Sequence, residues 1–327
     1  MGTVVVLGST ITDLVARAPR LPLPGESIIG DDFATFLGGK GFNQAVAAAR
    51  LGASVRFIGR VGTDTFGDAF SSALSNEGID NSHLTRDPSA GTGTACVMIG
   101  TDSGQNAIIV LPRANFALTA EMVEETIQSL PSRSTTQANT SIFMAQCEMR
   151  MATIAAGLRS AQNAGMITIF NAAPVPREPF PDDLFTCVDI LVVNESEAAG
   201  LAGTPVDTPQ GARRAATKLL GKGVKNTIIT LGSQGCVWSI NGDHEGQFSH
   251  RWIRSILVTQ VDATAAGDAF CGALAAKLAE GLVMPEALRW ASAAGAVAVT
   301  RLGALPSLPT TKEVEALLRE ANQEYGV

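Results

Sequence analysis

Short apolar runs rich in β-branched residues recur along this chain, with alanine-rich helical stretches between them. Val-Val-Val-Leu at 4–7 is the first, and 55–58, 142–145, 167–171, 190–193 and 227–231 follow. A run with no polar alternation is a strand buried on both faces. Residues 43–51, 66–77, 152–164 and 211–220 carry the helical patterns between them. That alternation calls for right-handed crossovers, hence a parallel sheet with helices on both faces. The expected fold is α/β: a doubly wound, mostly parallel sheet flanked by helices. Thr310 with Glu313 three residues on predicts a capping box opening a last helix.

Two segments break this rhythm. Residues 14–36 hold Pro19, Pro22, Pro24, Gly25 and Gly30. Residues 92–112 read as strands at 94–99 and 107–111, joined by the turn Asp102-Ser103-Gly104. With no helix between them, these two strands should pair antiparallel. Both segments together predict a small β lid, from about 14–36 and 92–112, on a single domain spanning 1–327.

Composition narrows the function. Apolar residues at 46% exclude a mainly disordered chain, and 24 basic against 31 acidic residues leave a net charge of −7. That balance argues against a nucleic-acid surface and against recruitment to anionic lipid. No apolar run reaches the ~18–20 residues of a membrane span. The start, MGTVVVLGST, has no basic n-region, and Val6 stands where a myristoylation motif wants Ser or Thr. Cys96, Cys147, Cys187, Cys236 and Cys271 form no C-x-x-C pair and read as reduced thiols of a cytoplasmic protein. His83, His244 and His250 lack zinc-ligand spacing.

Four motifs could carry chemistry. Gly38-Gly39-Lys40-Gly41-Phe42-Asn43-Gln44-Ala45 leads into a helix; its glycines would let backbone approach a ligand, and Asn43 offers an amide. It is neither a P-loop nor a dinucleotide fingerprint, and a plain glycine-rich turn is the alternative. Asp262-Ala263-Thr264-Ala265-Ala266-Gly267-Asp268 puts small residues at a helix N-terminus, where free N–H groups hold an anion. A carboxylate at that mouth suits a general base for a hydroxyl attacking phosphorus, or else a favourable acid against the helix dipole. Asn194-Glu195-Ser196-Glu197 suits hydrated Mg²⁺, or an ordinary helix cap. Thr230-Leu231-Gly232-Ser233-Gln234-Gly235 could line a nucleotide or simply turn the chain.

In this order and spacing the four motifs resemble the PfkB carbohydrate kinase family, its ribokinase branch in particular. Residues 38–52, Asn171-Ala172-Ala173-Pro174 and the tail at 298–304 add to the likeness, which covers nearly the whole chain. The resemblance implies ATP-dependent transfer to the primary 5-hydroxyl of a pentose, D-ribose foremost. It makes Asp268 the catalytic base, and the N–H groups of Ala265, Ala266 and Gly267 an anion hole. Asp13, Gly39, Lys40, Asn43 and Glu148 become sugar contacts. Thr230, Gly232, Ser233, Gly235 and Ser292 line the ATP. Asn194 and Glu197 organise Mg²⁺, through water. Asp262, Thr264, Ala298, Arg301, Gly303 and Ser307 surround a K⁺ ion that would preorganise the anion hole. A homodimer formed through the lid is implied too.

Departures from the family pattern bear on the substrate. Ile11 stands where an Asn is usual, Phe42 where a small residue is usual, and Ser292 where Asn or His is common; Ala263 replaces a frequent Thr. An apolar Ile11 cannot bond a hydroxyl, which weakens discrimination. Hence 2-deoxyribose, a ketose such as fructose, or a nucleoside stand as alternatives; Phe42 and Phe36 would be the aromatic surface for the last. A non-catalytic sensor is disfavoured because Gly267 and Asp268 are both present.

Overall fold

The computed structural model describes residues 2–130, 140–175, 180–181, 183–242 and 247–325, so His244 lies outside the described residues. From the N-terminus run β1 (Thr3–Leu7), β2 (Ile11–Ala18), β3 (Asp32–Gly38), α1 (Lys40–Arg50), β4 (Ser54–Gly62), α2 (Thr65–Asn76) and β5 (Asp80–Asp87). Then come β6 (Gly93–Gly100), β7 (Asn106–Leu111), α3 (Ala114–Ala117), α4 (Ala120–Ser129), β8 (Ile142–Gln146), α5 (Met151–Asn163), β9 (Ile167–Asn171) and β10 (Ile190–Val193). The rest is α6 (Glu195–Ala202), α7 (Pro209–Leu220), β11 (Asn226–Thr230), β12 (Cys236–Asn241), β13 (Phe248–Ile253), α8 (Ala266–Glu280), α9 (Met284–Ala298) and α10 (Thr311–Tyr325).

Nine strands form one sheet in the order β13-β12-β11-β10-β9-β8-β1-β4-β5. Pairing is parallel from β11 through to β5, and antiparallel only at β11–β12–β13. This is the expected doubly wound sheet. β1 shows how its residues enforce two covered faces. Val4 and Val6 enter the core under α1, α8 and α9, while Val5 and Leu7 enter the core under α5 and α7. Strand side chains alternate, so four consecutive apolar residues demand helices on both sides. The winding direction reverses at β1, which pairs with β4 on one side and β8 on the other. Open α/β sheets bind ligands at the carboxyl ends of strands beside such a switch point.

Strands β2, β3, β6 and β7 form a separate four-stranded sheet, ordered β3-β2-β6-β7. β6 and β7 pair antiparallel, as their sequence predicts, and β2 begins at Ile11, three residues before the expected lid segment. Exposed apolar residues stand on both edge strands: Phe33 and Phe36 on β3, and Ile108, Ile109, Val110 and Leu111 on β7. The last helix opens as expected, with Glu313 Oε2 accepting from Thr310 N (2.8 Å) and Thr310 Oγ1 (2.9 Å).

Candidate active site

The first motif meets the end of β1. A Cβ at Gly41 would collide with Gly8 Cα and Ser9 N, and Gly39, at φ 93°, would place one 2.9 Å from Ser9 O and Ile11 N. These glycines serve the packing of α1's first turn onto the chain's own backbone. The expectation for Phe42 is corrected. It is fully buried, edge-on to Phe70 at 5.1 Å between centroids, and belongs to the core, not to a sugar or adenine surface. Phe36, on the lid, is 40% exposed.

Glu148 follows β8 and reaches across the switch point. Its Oε2 accepts from Ser9 Oγ at 2.6 Å and from the Lys40 backbone N–H at 2.8 Å, so it sits on the N-terminus of α1, where an acid is favoured. Burial nevertheless pushes its carboxyl above the usual range. Asp13, on β2, is pushed up to about 6 by burial and by the Glu148 charge. Ile11 lies two residues before Asp13 on the same strand, so both side chains take the same face of the lid sheet.

At the start of α8, Ala265 holds a left-handed conformation, φ 60°, which a residue with a Cβ adopts at a cost. The turn is thereby bent so that Asp268 enters in the first helical turn. The Ala266 N–H reaches back to Ala263 O at 3.3 Å, a weak bond. The predicted three-donor anion hole is corrected to that extent: the N–H groups of Ala265 and Gly267 have no such backbone partner. Asp268 is buried, with Oδ2 accepting from Asn43 Nδ2 and Oδ1 from Gln44 Nε2, each at 3.0 Å. Burial raises its pKa, against the pull of Lys40 and these two amides. Burial would lower Lys40, but the charges of Asp268, Glu148 and Glu197 outweigh it and hold the ammonium above its ordinary value.

Two cavities meet here. One, of about 180 Å³, is lined by Lys40, Asn171, Asn194, Glu197, Gly267 and Asp268 among others. The other, of about 230 Å³, is lined by Gly232, Ser233, Gly235, Phe270 and Ser292, with the 255–258 segment opposite. Thr230, Ala263 and Gly267 line both. The second is the more apolar in character, as a planar heterocycle requires, with the buried Ser292 Oγ in its wall beside the Cys236 thiol. Asn43 Oδ1, beside Asp268, is a buried acceptor without a donor.

Asn194 and Glu197 are an N-terminal capping box of α6. Glu197 N donates to Asn194 Oδ1 at 2.9 Å, and Asn194 N to Glu197 Oε2 at 2.8 Å. The box fixes two side chains that also line the smaller cavity. Among the described residues no group of three or more His, Cys, Asp or Glu could hold a metal ion directly. Glu197 has one oxygen outside the box, which fits a hydrated Mg²⁺ and not a direct cage.

Asp262 ties the predicted K⁺ residues together. Its Oδ1 accepts from Thr264 N (2.9 Å) and Oγ1 (2.7 Å), and its Oδ2 from Gly303 N (2.9 Å). Burial works against this carboxylate's charge, but those bonds win and hold its pKa below normal. Val261 and Asp262 N–H both bond Val299 O, next to Ala298. Ser307 is buried, its Oγ donating to Ala304 O at 2.7 Å, while the Arg301 side chain turns away to pair with Glu313. Carboxylate, hydroxyl and carbonyl oxygens of these residues are donors of the kind a hard cation takes.

Gln44, Gln146 and Asn171 were given no role by sequence reasoning, though all are buried at this site. Gln146 and Asn171 each end an apolar strand with one polar residue, the signal that could have marked them.

Residues 1–311 match the model of the pfkB family carbohydrate kinases. The ribokinase of Haemophilus influenzae is 34% identical over 319 residues, covering 98% of this chain and 99% of its own. That of Mus musculus is 37% identical over 317 residues, covering 96% and 94%. The structure of Arabidopsis thaliana ribokinase complexed with ribose and ATP superposes with a TM-score of 0.84 at 31% identity, covering 97% of this chain and 98% of that one. Fold and sequence converge, and the chain belongs to the pfkB family of carbohydrate kinases.

Proposed function

We propose that this ATP-dependent sugar kinase takes D-ribose and phosphorylates its primary 5-hydroxyl. One observation carries the reading: a buried carboxylate, Asp268, stands where a larger, more apolar cavity and a smaller polar cavity share a wall at Gly267. ATP in the larger cavity, along Thr230, Gly232, Ser233, Gly235 and Ser292, would bring its γ-phosphate to the α8 N-terminus. The sugar would lie under the lid, against Asp13, Gly39, Asn43 and Glu148, with Asn43 Oδ1 accepting from a hydroxyl.

Asp268 takes the proton of the attacking hydroxyl as the new O–P bond forms. The bond from the γ-phosphorus to the bridging oxygen breaks, and ADP leaves with that electron pair. The N–H groups of Ala265 and Gly267, with the α8 dipole, stabilise charge on the transferred group. Lys40 lines the transfer cavity as well, which supports a second role for it beside the phosphoryl group. Mg²⁺, when bound, supplies charge neutralisation at the phosphates, held through water by Asn194 and Glu197. K⁺ would be held by Asp262, Thr264, Ala298, Arg301, Gly303 and Ser307, and it supplies a fixed positive field behind the 263–267 turn. The lid excludes water from the reacting phosphoryl group.

Ile11 favours a second reading, 2-deoxyribose: an apolar side chain on Asp13's face of β2 bonds no hydroxyl. The reading includes a homodimer joined through the lid, supported by the exposed apolar residues of β3 and β7. It also includes a cytoplasmic location, supported by five free cysteines.

The test is ADP release with MgATP and K⁺ across ribose, 2-deoxyribose, fructose and adenosine. Ribose should give the highest kcat/KM, and Asp268→Ala should lose about 100- to 10,000-fold. A higher kcat/KM for 2-deoxyribose would move the assignment to the second reading. Full activity in Asp268→Ala would overturn the mechanism. The sedimentation mass of the same preparation decides the dimer.

A further inference from the structure

We propose that Gln44 is a positioning residue for phosphoryl transfer: its side-chain amide, locked by Gln146, aims the Asp268 carboxylate at the attacking hydroxyl. The proposal rests on Asp268 being the base.

The geometry is a chain of amides. Gln146 Nε2, at the carboxyl end of β8, donates to Gln44 Oε1 at 2.8 Å. Gln44 Nε2 donates to Asp268 Oδ1 and to Asn171 Oδ1, each at 3.0 Å. Asn171 Nδ2, at the end of β9, donates to Val192 O at 3.0 Å. Gln44 and Gln146 are 0% and 1% exposed, so water does not compete. A primary amide has two N–H donors and one carbonyl. Gln146 occupies the carbonyl of Gln44, and both N–H donors are then committed, one to Asp268 and one to Asn171. The Gln44 amide therefore has one orientation.

That orientation decides what Asp268 can do. Its protein-side neighbours, Asn43 Nδ2 and Gln44 Nε2, are both donors and cannot accept a proton from it. The lone pairs left over face the cavity, where the hydroxyl arrives. The two donors also favour the charged form against burial. The titratable groups facing Asp268 are Lys40 from α1, Glu148 after β8, Glu197 from α6 and Cys271 on α8 itself. Only Lys40 favours the anion. The remaining counterweight is amide donors, of which Gln44 supplies one.

Gln44→Met keeps the bulk and removes the donor. With ATP, sugar and Mg²⁺ saturating, the acid limb of its kcat–pH profile should move up by about one pH unit. kcat at pH 7 should fall tenfold or more, and KM for ATP should stay within twofold. Gln146→Met leaves Gln44 in place but lets its amide turn, and should move the limb the same way by less. It also serves where Gln44→Met does not fold. Asp268→Asn separates the two claims. If it retains turnover, the assignment of the base fails. If it is inactive while both glutamine variants keep the parent's acid limb, the positioning role is overturned.

Discussion

A methyl group at Gly267 would meet no protein atom within 4 Å. Packing does not require glycine there, and Gly267 borders both the larger, more apolar pocket and the smaller polar one. Gly267→Ala should therefore fold at least as well, with alanine favoured in a helix by up to ~1 kcal/mol. It should also lose tenfold or more in kcat, since the methyl occupies the path of the phosphoryl group. A thermal melt and a turnover assay check the two halves, and a lower Tm would show that the glycine serves folding. Residues of this kind were legible in the sequence because a helix N-terminus is local chemistry: small residues, then an acid. Phe42 was not. It adjoins Asn43, yet consecutive helical residues diverge by ~100°, so one points to Asp268 and the other to Phe70, and Phe70 lies in another element.

Two helices bring the proposed catalytic residues together. α1 brings Asn43 and Gln44, α8 brings Asp268, and they touch because Gly272 lets them. A Cβ at Gly272 would lie 2.5 Å from Ala47 Cβ, 2.7 Å from Gln44 O and 2.8 Å from Ala48 N. Gly272→Val would force the helices apart one turn below the base. The expected loss is ~1–3 kcal/mol of stability, the usual range for overpacking. A drop in kcat larger than the stability loss alone explains should accompany it, as the amide bonds to Asp268 lengthen. Denaturant unfolding and kcat at a temperature where the variant is fully folded test this; unchanged kcat there would show that α1 need not hold its distance. At this scale the parallel strands and most helices could be read in advance, because a doubly buried strand is a run of apolar residues. β5 could not: Asp-Asn-Ser-His-Leu-Thr-Arg-Asp has no such run and forms a strand only by pairing with β4 at the sheet edge. The motif at Asn194 and Glu197 could be read as structure or as a metal site, and the fold shows the capping box.

For the molecule as a whole, the site is a store of unfavourable charge. Asp13, Glu148, Glu197 and Asp268 all have raised pKa values, with burial the first cause in each, and they gather at one switch point. An acid whose folded-state pKa is raised binds its proton more tightly folded than unfolded, so its penalty is present above the folded pKa and relieved as pH falls through it. For Asp13 that window runs from about 6 down to the ordinary 3.8. Elsewhere the sign is opposite. Hydrogen bonds and ion pairs hold Asp64, Asp80, Asp87 and Asp183 below normal, and that stabilisation disappears only as pH falls below the ordinary carboxylate range. The ligand-free protein should therefore gain stability from pH 7 to about 5 and lose it below about 4. Asp13→Asn removes one titrating group, so it should flatten the rise between pH 7 and 5 and leave the acid fall in place. Melting temperature against pH for parent and variant reads both slopes. A parent whose Tm falls steadily from pH 7 to 5 would mean that Lys40 and the helix N-termini already neutralise the pocket, and that the acids gathered there carry no stored charge.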